Sequence, residues 1–398
     1  MRIAIFTDCY LPIKNGVVTS VLQLKDGLKK KGHEVIIMAP EVPDYDDDDE
    51  EDDEDVFRLP AIKAGLGTEQ MVSIINQGAV TRFIKKRNIN LIHTHTEFSL
   101  GYSGKTAARK LKIPHVHTSH TMWENYTHYI LNGKILTSKM VKRIMKIFLT
   151  KITINVAPSV KIEKYNREII PEVPIVIINN GIDVSKFKSS VITEREIIDI
   201  RNKFGLSKKD KIMIFVGRIG KEKRVCELFN IASEVMKKNS NVKMMFVGDG
   251  PDLNELIKKA KKIGMEKRFI FTGFVNWNLV YRFYSISTIF LTSSLSEVQP
   301  MTIIEAIMCG LPVMVRKDDS YMDLVQEGVN GHLVDSDEDF LLKLDNLLKD
   351  EKKLKQYSIG SSEISQRFTA ENHVKRMEQL YNTVLKYFPN KIDEKELC

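Results

Sequence analysis

Residues 211–250 read KIMIFVGRIGKEKRVCELFNIASEVMKKNSNVKMMFVGDG, and this stretch decides the fold class. Two short apolar runs flank a segment with the hydrophobic spacing of an amphipathic helix. A strand, a helix and a second strand in this order form the unit from which parallel sheets with helices on both faces are built. The stretch therefore predicts an α/β domain with a doubly wound parallel sheet.

The same alternation extends in both directions along the chain. Later apolar runs are RFIFTGF, STIFLTSS and LPVMVRK, and an earlier series comprises RIAIFT, HEVIIMAP, INLIHTH and PHVHTSH. A chain of 398 residues is also longer than one hydrophobic core usually serves. We therefore predict two Rossmann-like, doubly wound domains, with a hinge at about residues 180–190, after the turn residues Asn179, Asn180 and Gly181. Because such sheets bind ligands beyond the carboxyl ends of their strands, two of them face to face would enclose a central cleft.

Composition and hydropathy indicate a cytosolic chain. Its 43% apolar and 28% charged residues are ordinary for a globular protein. No run approaches the roughly 18 to 20 apolar residues of a membrane span, and the N-terminus MRIAIFTD lacks the apolar core of a signal peptide. The four cysteines, Cys9, Cys226, Cys309 and Cys398, show neither disulfide nor metal-ligand spacing, which suits a reducing compartment.

The net charge of +8 conceals an asymmetry. Ten of the 52 acidic residues form one run, Asp46 to Asp55. We interpret this run as a solvated loop, with Mg²⁺ or partner binding as the alternative. The rest of the chain is strongly basic, which predicts an anionic partner.

Two stretches that follow strands could hold phosphates. In VGRIGKEKR a guanidinium, Arg218, and an ammonium five residues later, Lys223, suit a diphosphate, although a solvated basic loop has the same composition. In DCYLPIKNGVVTS, Gly16 would let a ligand approach the backbone where a helix begins and offers free amide donors. This segment lacks the GxGxxG and GxxxxGK[ST] patterns, so it does not predict a dinucleotide or P-loop site.

The segment SLSEVQPMTIIEAIMCG keeps two carboxylates in apolar surroundings. Glu297 should lie in the loop after a strand, and Glu305 in the second turn of a helix that begins near Pro300. Carboxylates beside a ligand site can accept hydrogen bonds from vicinal hydroxyl groups of a ribose or a hexose. Helix capping by acidic residues is the alternative.

Six of the nine histidines fall between residues 93 and 128. Strand alternation places His93 and His95 on one face, and likewise His115 and His117, so a zinc site has to be considered. No HExxH helix or cysteine pair accompanies them. We favour a single histidine, His120, as a polar contact or a group that handles a proton.

The stretch GKILTSKMVKRIMKIFLTK predicts an amphipathic helix that could contact a membrane surface. The pattern places Leu136, Met140, Ile144, Ile147 and Phe148 on one face, and the basic residues Lys139, Lys142, Arg143 and Lys146 on another. An ordinary helix packed on a sheet would show the same pattern. TRFIKKR at residues 81–87 is a second candidate.

Five motifs together resemble the retaining glycosyltransferases of family 4, which have the GT-B fold of two Rossmann-like domains facing a cleft. They are the two glutamates in E-x7-E spacing, VGR with its lysine, VGDGP at 247–251, FTGFV at 271–275 and NNGID at 179–183. Each motif alone is weak, but the ordered set is specific and covers nearly the whole chain.

The resemblance assigns roles to individual residues. It implies that Arg218 and Lys223 hold the diphosphate of a nucleotide sugar and that Gly16 lets the phosphates approach. It places Glu297 at the donor sugar and Glu305 at the ribose. The remaining donor-site positions are Phe274 and Val275 at the base, and Met301 and Thr302. His120, Arg218, Lys223 and Glu297 form the implied catalytic set, without a metal or another cofactor.

Within the family, the chain resembles the bacterial diacylglycerol glucosyltransferases. The similarity is carried by YLPIKNGVVTSVLQLKDGL, SHTMWENYTHY and SLSEVQPMTIIEA. Many relatives have a glycine pair where this chain has Asn15 and Gly16, and many have a glycine where Pro300 stands. Since proline has no amide hydrogen, one possible backbone contact to the donor is absent here.

The expected activity is transfer of a hexose, most simply glucose from UDP-glucose, to a lipid acceptor such as 1,2-diacylglycerol. The protein would then lie at the cytoplasmic face of the membrane as a peripheral protein, attracted by an anionic lipid surface. We expect domains at 1–184 and 185–370, and a C-terminal helix, 371–398, that returns to the first. Alternatives are a soluble saccharide or polyol acceptor, and a metal-dependent hydrolase that uses the cluster from His93 to His120. A nucleic-acid binder would explain only the basic surface.

Overall fold

The computed structural model describes residues 1–13, 15–42, 54–63, 71–126, 137–184, 187 and 192–397. Most of the acidic run, residues 46–53, and Leu136 lie outside the described residues. The chain divides into two compact units, Met1–Gly181 with Ala370–Cys398, and Ile182–Thr369. The expected boundary stood three residues later, at 184/185.

The first unit is built on a parallel sheet. Its elements are β1 (Arg2–Phe6), α1 (Gly16–Lys30), β2 (Glu34–Pro40), β3 (Val56–Leu59), β4 (Ala61–Lys63), β5 (Met71–Ser73), α2 (Gln77–Lys86), β6 (Leu91–Thr94), α3 (Ser99–Leu111), β7 (His115–Thr118), α4 (Ser138–Leu149), β8 (Ile154–Ala157), α5 (Val160–Ile169) and β9 (Ile175–Ile177). Seven of the described strands lie in the order β3-β2-β1-β6-β7-β8-β9, and β4 pairs with β5 in an antiparallel ladder.

The second unit repeats this plan with six described strands. Its elements are α6 (Glu194–Lys203), β10 (Lys211–Val216), α7 (Val225–Lys238), β11 (Val242–Val247), α8 (Leu253–Lys262), β12 (Phe269–Phe271), α9 (Trp277–Ser285), β13 (Ile289–Thr292), α10 (Met301–Met308), β14 (Val313–Arg316), β15 (Gly331–Val334), α11 (Asp337–Lys349) and α12 (Glu351–Ser365). The strands lie in the order β12-β11-β10-β13-β14-β15, and all pair in parallel. Two doubly wound parallel sheets confirm the predicted fold class.

The apolar runs form strands because both of their faces are buried. In β10, Ile212 and Ile214 pack into one hydrophobic cluster, and Met213 and Phe215 pack into a second cluster on the opposite face. Alternate side chains of a strand point to opposite faces, so a central strand between two helical layers must be apolar throughout. This packing explains why these strands read as continuous apolar runs rather than as alternating patterns.

The C-terminal helix α13 (Ala370–Tyr387) belongs to the first unit. Its buried side chains, among them Met377 and Tyr381, join the cluster that contains residues of β1 and α1. A Cβ atom at Gly27 of α1 would lie 2.4 Å from Val374 Cγ2. Glycine at this position therefore lets the two helices approach closely.

In the part of the chain that the structure describes, no helix is both long enough and apolar enough to cross a bilayer.

Candidate functional site

Three glycine turns hold the loops after β10, β11 and β12 against one another. The N–H of Gly248 donates to the carbonyl of Gly273 at 3.1 Å, and the N–H of Gly217 donates to Val247 at 3.0 Å. Gly248 has φ +137°, and a Cβ atom there would lie 2.0 Å from the Gly217 carbonyl oxygen. The glycines of VGR, VGDGP and FTGFV therefore create a close-packed floor at the carboxyl ends of neighbouring strands.

Lys223 and Glu297 meet at the carboxyl ends of strands in the same sheet. Lys223 lies in a short 3-10 helix, Lys221–Lys223, that follows β10, and Glu297 lies in the loop between β13 and α10. The ammonium Nζ donates to Glu297 Oε1 at 2.5 Å, and each side chain keeps about a fifth of its surface exposed, 22% and 20%. The bond to Lys223 does not use Glu297 Oε2, and both side chains are partly exposed. The pair can therefore present an ammonium group and a carboxylate oxygen to the same ligand.

Arg218 remains largely open to solvent. Its nearest carboxylate is Glu222, 3.8 Å from Nε, and the Arg218 side chain is 57% exposed. At such exposure an ion pair restrains the guanidinium weakly. Arg218 can therefore turn towards an anion without first breaking a strong contact.

Glu305 is buried in α10 and has two donors that the sequence did not predict. Trp277 Nε1 donates to Glu305 Oε1 at 2.9 Å, and the hydroxyl of Tyr284 donates to Oε2 at 2.8 Å. Burial raises the pKa of Glu305 to about 7, and the two hydrogen bonds oppose this shift. Each carboxylate oxygen can accept a second hydrogen bond. The group can therefore still receive hydroxyl donors.

The other predicted donor-site residues lie in the same unit. Phe274 follows the turn at Gly273 and is 79% exposed, whereas Val275 packs against the core. Met301 and Thr302 form the first turn of α10 and are half-buried. An exposed aromatic ring is available for stacking against a planar ligand.

In the first unit, Gly16 opens α1. Asn15 is the N-cap, and its side chain accepts a hydrogen bond from the N–H of Val18. The first turn of α1 contains no acidic residue, and Gly16 is exposed. The amide groups of this helix start are thus suited to an anion.

His120 ends a chain of buried polar side chains. Its Nε2 lies 2.9 Å from His95 Nδ1, and His95 Nε2 lies 3.2 Å from His93 Nδ1. His93 Nδ1 lies 2.6 Å from the hydroxyl of Tyr381, and His93 Nε2 lies 2.8 Å from Thr118 Oγ1. Burial lowers the pKa of His120 to about 3, with neighbouring histidines adding to the shift. His120 is therefore a neutral hydrogen-bonding group at physiological pH.

The histidines pair on faces as predicted, but they bond to hydroxyl groups, to one another and, at His117, to Glu97, whose Oε1 lies 3.3 Å from Nε2. Thr94 Oγ1 lies 2.8 Å from both His115 Nε2 and His117 Nδ1. Over the described ranges, no group of three or more His, Cys, Asp or Glu side chains is arranged to hold a metal ion. The pKa of His93 and of His95 is well below the ordinary value because both rings are buried.

Helix α4 has two apolar faces, and one prediction about it was wrong. Val141, Met145, Phe148 and Leu149 are buried in the unit, so Phe148 does not belong to the outward face. The outward apolar stripe consists of Met140, Ile144 and Ile147, which are 46%, 48% and 59% exposed. Lys139, Arg143 and Lys146 are exposed beside this stripe. Lys142 lies elsewhere on the helix, where its Nζ forms ion pairs with Glu168 Oε2 at 3.4 Å and with Glu124 Oε1 at 3.9 Å.

Two family profiles match the chain. Residues 14–186 match the profile described as Glycosyltransferase Family 4, and residues 196–362 match the profile described as Glycosyl transferases group 1. Each match lies almost wholly within one compact unit. The first match covers the seven-stranded sheet of the first unit apart from β1, and the second match covers the six-stranded sheet of the second unit.

Two relatives align over nearly all of the chain. The alpha-monoglucosyldiacylglycerol synthase of Acholeplasma laidlawii is 31% identical over 405 aligned positions, which cover 99% of this chain and 100% of the relative. The enzyme of the same name from Streptococcus pneumoniae is 30% identical over 381 residues, covering 96% of this chain and 85% of the relative. The crystal structure of Anabaena HepE in complex with UDP has a TM-score of 0.77 at 18% identity and covers 96% of this chain and 100% of that chain.

Proposed function

The chain belongs to glycosyltransferase family 4 and has the GT-B fold, and from this premise we propose that it is a retaining hexosyltransferase that moves glucose from UDP-glucose to the hydroxyl group of 1,2-diacylglycerol. The observation that carries the proposal is the identity of 30% and 31% with two alpha-monoglucosyldiacylglycerol synthases over 96% and 99% of this chain. UDP is the nucleotide in the Anabaena structure, which supports the choice of a uridine donor.

The second unit contributes groups suited to the donor. Lys223 and Arg218 would bind the diphosphate, whose negative charge increases as the bond to the sugar breaks. Fixed cationic groups lower the energy of such a transition state because they need no reorganisation at the moment of reaction. Glu297 holds the Lys223 ammonium in place through the 2.5 Å contact, and its other oxygen would accept a sugar hydroxyl. Glu305 would accept the ribose hydroxyls, and Phe274 would lie at the base.

The transfer step can be written with these groups alone. The acceptor oxygen forms a bond to the anomeric carbon while the bond from that carbon to the β-phosphate oxygen breaks. The acceptor proton passes to the departing phosphate, on the face from which the phosphate leaves, so that the anomeric configuration is retained. In the first unit, the amide groups near Gly16 at the start of α1 would donate hydrogen bonds to the phosphates. His120, being neutral, would act as a hydrogen-bonding contact to the sugar.

The acceptor requires contact with a lipid surface. The outward stripe of α4, Met140, Ile144 and Ile147, is apolar, and Lys139, Arg143 and Lys146 are exposed beside it. Such a helix can lie in a membrane interface, with its apolar side chains among the acyl chains and its cations near anionic headgroups. We propose peripheral attachment at the cytoplasmic face through this helix.

Product analysis tests the proposed reaction. The purified protein is incubated with radiolabelled UDP-glucose, UDP-galactose or GDP-mannose, and with diacylglycerol in mixed micelles or a soluble saccharide or polyol. We expect label from UDP-glucose in a chloroform-soluble product, with an α-glycosidic linkage by NMR. Label that reaches only the soluble acceptors would overturn the lipid assignment, and a β linkage would overturn retention. Transfer should continue in a chelator, since the proposed cationic groups are protein side chains.

A further inference from the structure

A groove of about 1170 Å³ lies on the first unit, lined by α3, α4 and the chain that follows each of them. Among the described residues, six basic side chains line it, and no aspartate or glutamate does. The six are Lys105, Arg109, Lys112, Arg143, Lys146 and Lys151. Apolar side chains, including Tyr102, Ile113, Ile147 and Phe388, complete the lining. A concave surface that combines cations with apolar walls suits an amphiphilic anion.

The cations of the groove are not neutralised by the described residues. Lys105 alone has protein acceptors, the carbonyl oxygens of Ile147 at 2.8 Å and Phe148 at 2.6 Å, with which it completes the C-terminal end of α4. The side-chain cations of the other five make neither a hydrogen bond nor an ion pair with a described residue. Burial, with Arg109 and Lys151 nearby, lowers the pKa of Lys105 to about 8. Helix C-termini attract basic residues, but only one of these six contacts a terminal carbonyl.

One lining residue of the groove, His115, has an unpaired polar atom. His115 lines the groove and is almost fully buried. Its Nε2 is paired with Thr94 Oγ1 at 2.8 Å, while its Nδ1 is buried without a hydrogen-bond partner in the described part of the chain. A buried polar nitrogen without a partner is uncommon and costs stability.

The groove is separate from the proposed catalytic residues. His115 begins β7 and Thr153 directly precedes β8, so the groove lies at the amino ends of these strands. His120 follows the carboxyl end of β7. With a rise of roughly 3.3 Å per residue, the two ends of β7 are on the order of 10 Å apart. A headgroup bound in the groove would therefore lie at the opposite end of β7 from His120.

The groove also continues onto the surface that we assign to the membrane. Ile147 belongs both to the groove and to the outward apolar stripe of α4, and Arg143 and Lys146 line the groove from the same helix. We propose that this groove is a discrete binding site for the phosphate headgroup of an anionic phospholipid. The cations bind the phosphate, and the acyl chains leave past Ile147 towards the stripe. The inference rests on the proposed function only in that it places α4 at a lipid surface.

Binding of a monomeric lipid tests the site without a membrane and without turnover. Dihexanoyl phosphatidylglycerol, below its micelle concentration, is titrated into the full chain and followed by calorimetry. Dihexanoyl phosphatidylcholine and inorganic phosphate serve as comparison ligands.

The test variant combines Arg109→Gln, Lys112→Asn and Lys151→Asn. Lys112 and Lys151 have φ values of +54° and +66°, and asparagine tolerates this left-handed region. The matched control combines Lys208→Gln, Lys238→Gln and Lys262→Gln, exposed residues of the second unit.

We expect saturable binding of phosphatidylglycerol, weakened at least about tenfold in the test variant and unchanged in the control. Phosphatidylcholine should bind far more weakly. Equal affinity for the two lipids, or undiminished binding by the test variant, would overturn the proposal. If inorganic phosphate binds as tightly as phosphatidylglycerol, the groove is a simple anion site and the lipid assignment is wrong. Glucosyl transfer to short-chain diacylglycerol is measured in parallel, so that loss of the proposed activity can be recognised independently of lipid binding.

Discussion

Lys223 Nζ and Glu297 Oε1 lie 2.5 Å apart, although 74 residues separate them in the chain. The sequence analysis assigned Lys223 to a diphosphate and Glu297 to a sugar, and in the folded chain the two side chains form an ion pair. Because the two side chains restrain each other, loss of either should disturb both proposed contacts. They are therefore expected to act as one unit in catalysis.

Neutralising the pair should reduce turnover severely. Lys223→Met removes a cation that faces the developing charge of the diphosphate, so we expect kcat to fall about 100-fold or more. Glu297→Gln should have an effect of similar size, and the double variant should lose little more than the worse single variant. Steady-state kinetics with UDP-glucose measures each value. Lys237→Met with Glu234→Gln, an exposed pair at 2.6 Å in the same unit, is the matched control and should retain near-normal rates. Additive losses in the double variant would contradict joint action.

Binding of UDP should release protons near neutral pH. The pKa of Glu305 is about 7 because the carboxyl is buried, so a large fraction of it is protonated there. Ribose hydroxyls that donate to the carboxylate favour its charged form and lower this pKa. Calorimetry in buffers of different ionisation enthalpy counts the protons. We expect more protons to be released by the native chain than by Glu305→Gln, in which only the terminal phosphate of UDP can still release a proton. Equal release by the two proteins would contradict the assignment.

Glu305 should also make the stability of the free protein fall as pH rises, whereas the affinity for UDP increases. The folded pKa of Glu305 lies above the ordinary value of 4.5. Its contribution to the stability of the free protein is therefore fully present below about pH 4.5 and is lost as pH rises through about 7. UDP should bind more tightly over the same rise in pH. Thermal melts with and without UDP across this range measure both slopes, and Glu305→Gln should flatten them.

His120 should contribute no inflection to the pH profile of turnover between about pH 5 and 8. Its pKa of about 3 keeps it neutral there, so it can give or accept a hydrogen bond but holds no extra proton. His120→Asn should therefore retain more activity than His120→Phe, which is unable to hydrogen-bond. The kcat profiles of the three proteins provide the measurement. An inflection that disappears in both variants would show that His120 titrates in the working range.

Much of the fold was predictable because it depends on local patterns. Strands that are buried on both faces must be apolar throughout, and positions such as Gly248 need glycine because another backbone touches them. Contacts between distant residues were not predictable in this way. Trp277 and Tyr284 reach Glu305 from another helix, and Tyr381 reaches His93 across 288 residues. No spacing in the sequence records these pairings.

The two apolar faces of α4 show a second limit of sequence patterns. Hydrophobic periodicity indicates that a stripe is apolar but not which partner covers it. Phe148 packs edge-on against Tyr102 and His117, with ring centroids 5.0 Å and 4.9 Å apart, whereas Ile144 and Ile147 face outward. The sequence assigned Phe148 and these isoleucines to one face. Tertiary packing separates them, so their substitutions should have different consequences.

Phe148→Ala should lower the free energy of unfolding by about 3 to 5 kcal/mol, because it leaves a cavity in the core. Ile144→Ser with Ile147→Ser should change it by only about 0.5 kcal/mol per substitution, since both side chains are on the surface. The serine variant should instead lose binding to vesicles that contain anionic lipid, measured by flotation, because its apolar stripe is gone. Denaturant unfolding distinguishes the two effects. If the serine variant floats as well as the native chain while remaining folded, the outward face of α4 is not the membrane contact.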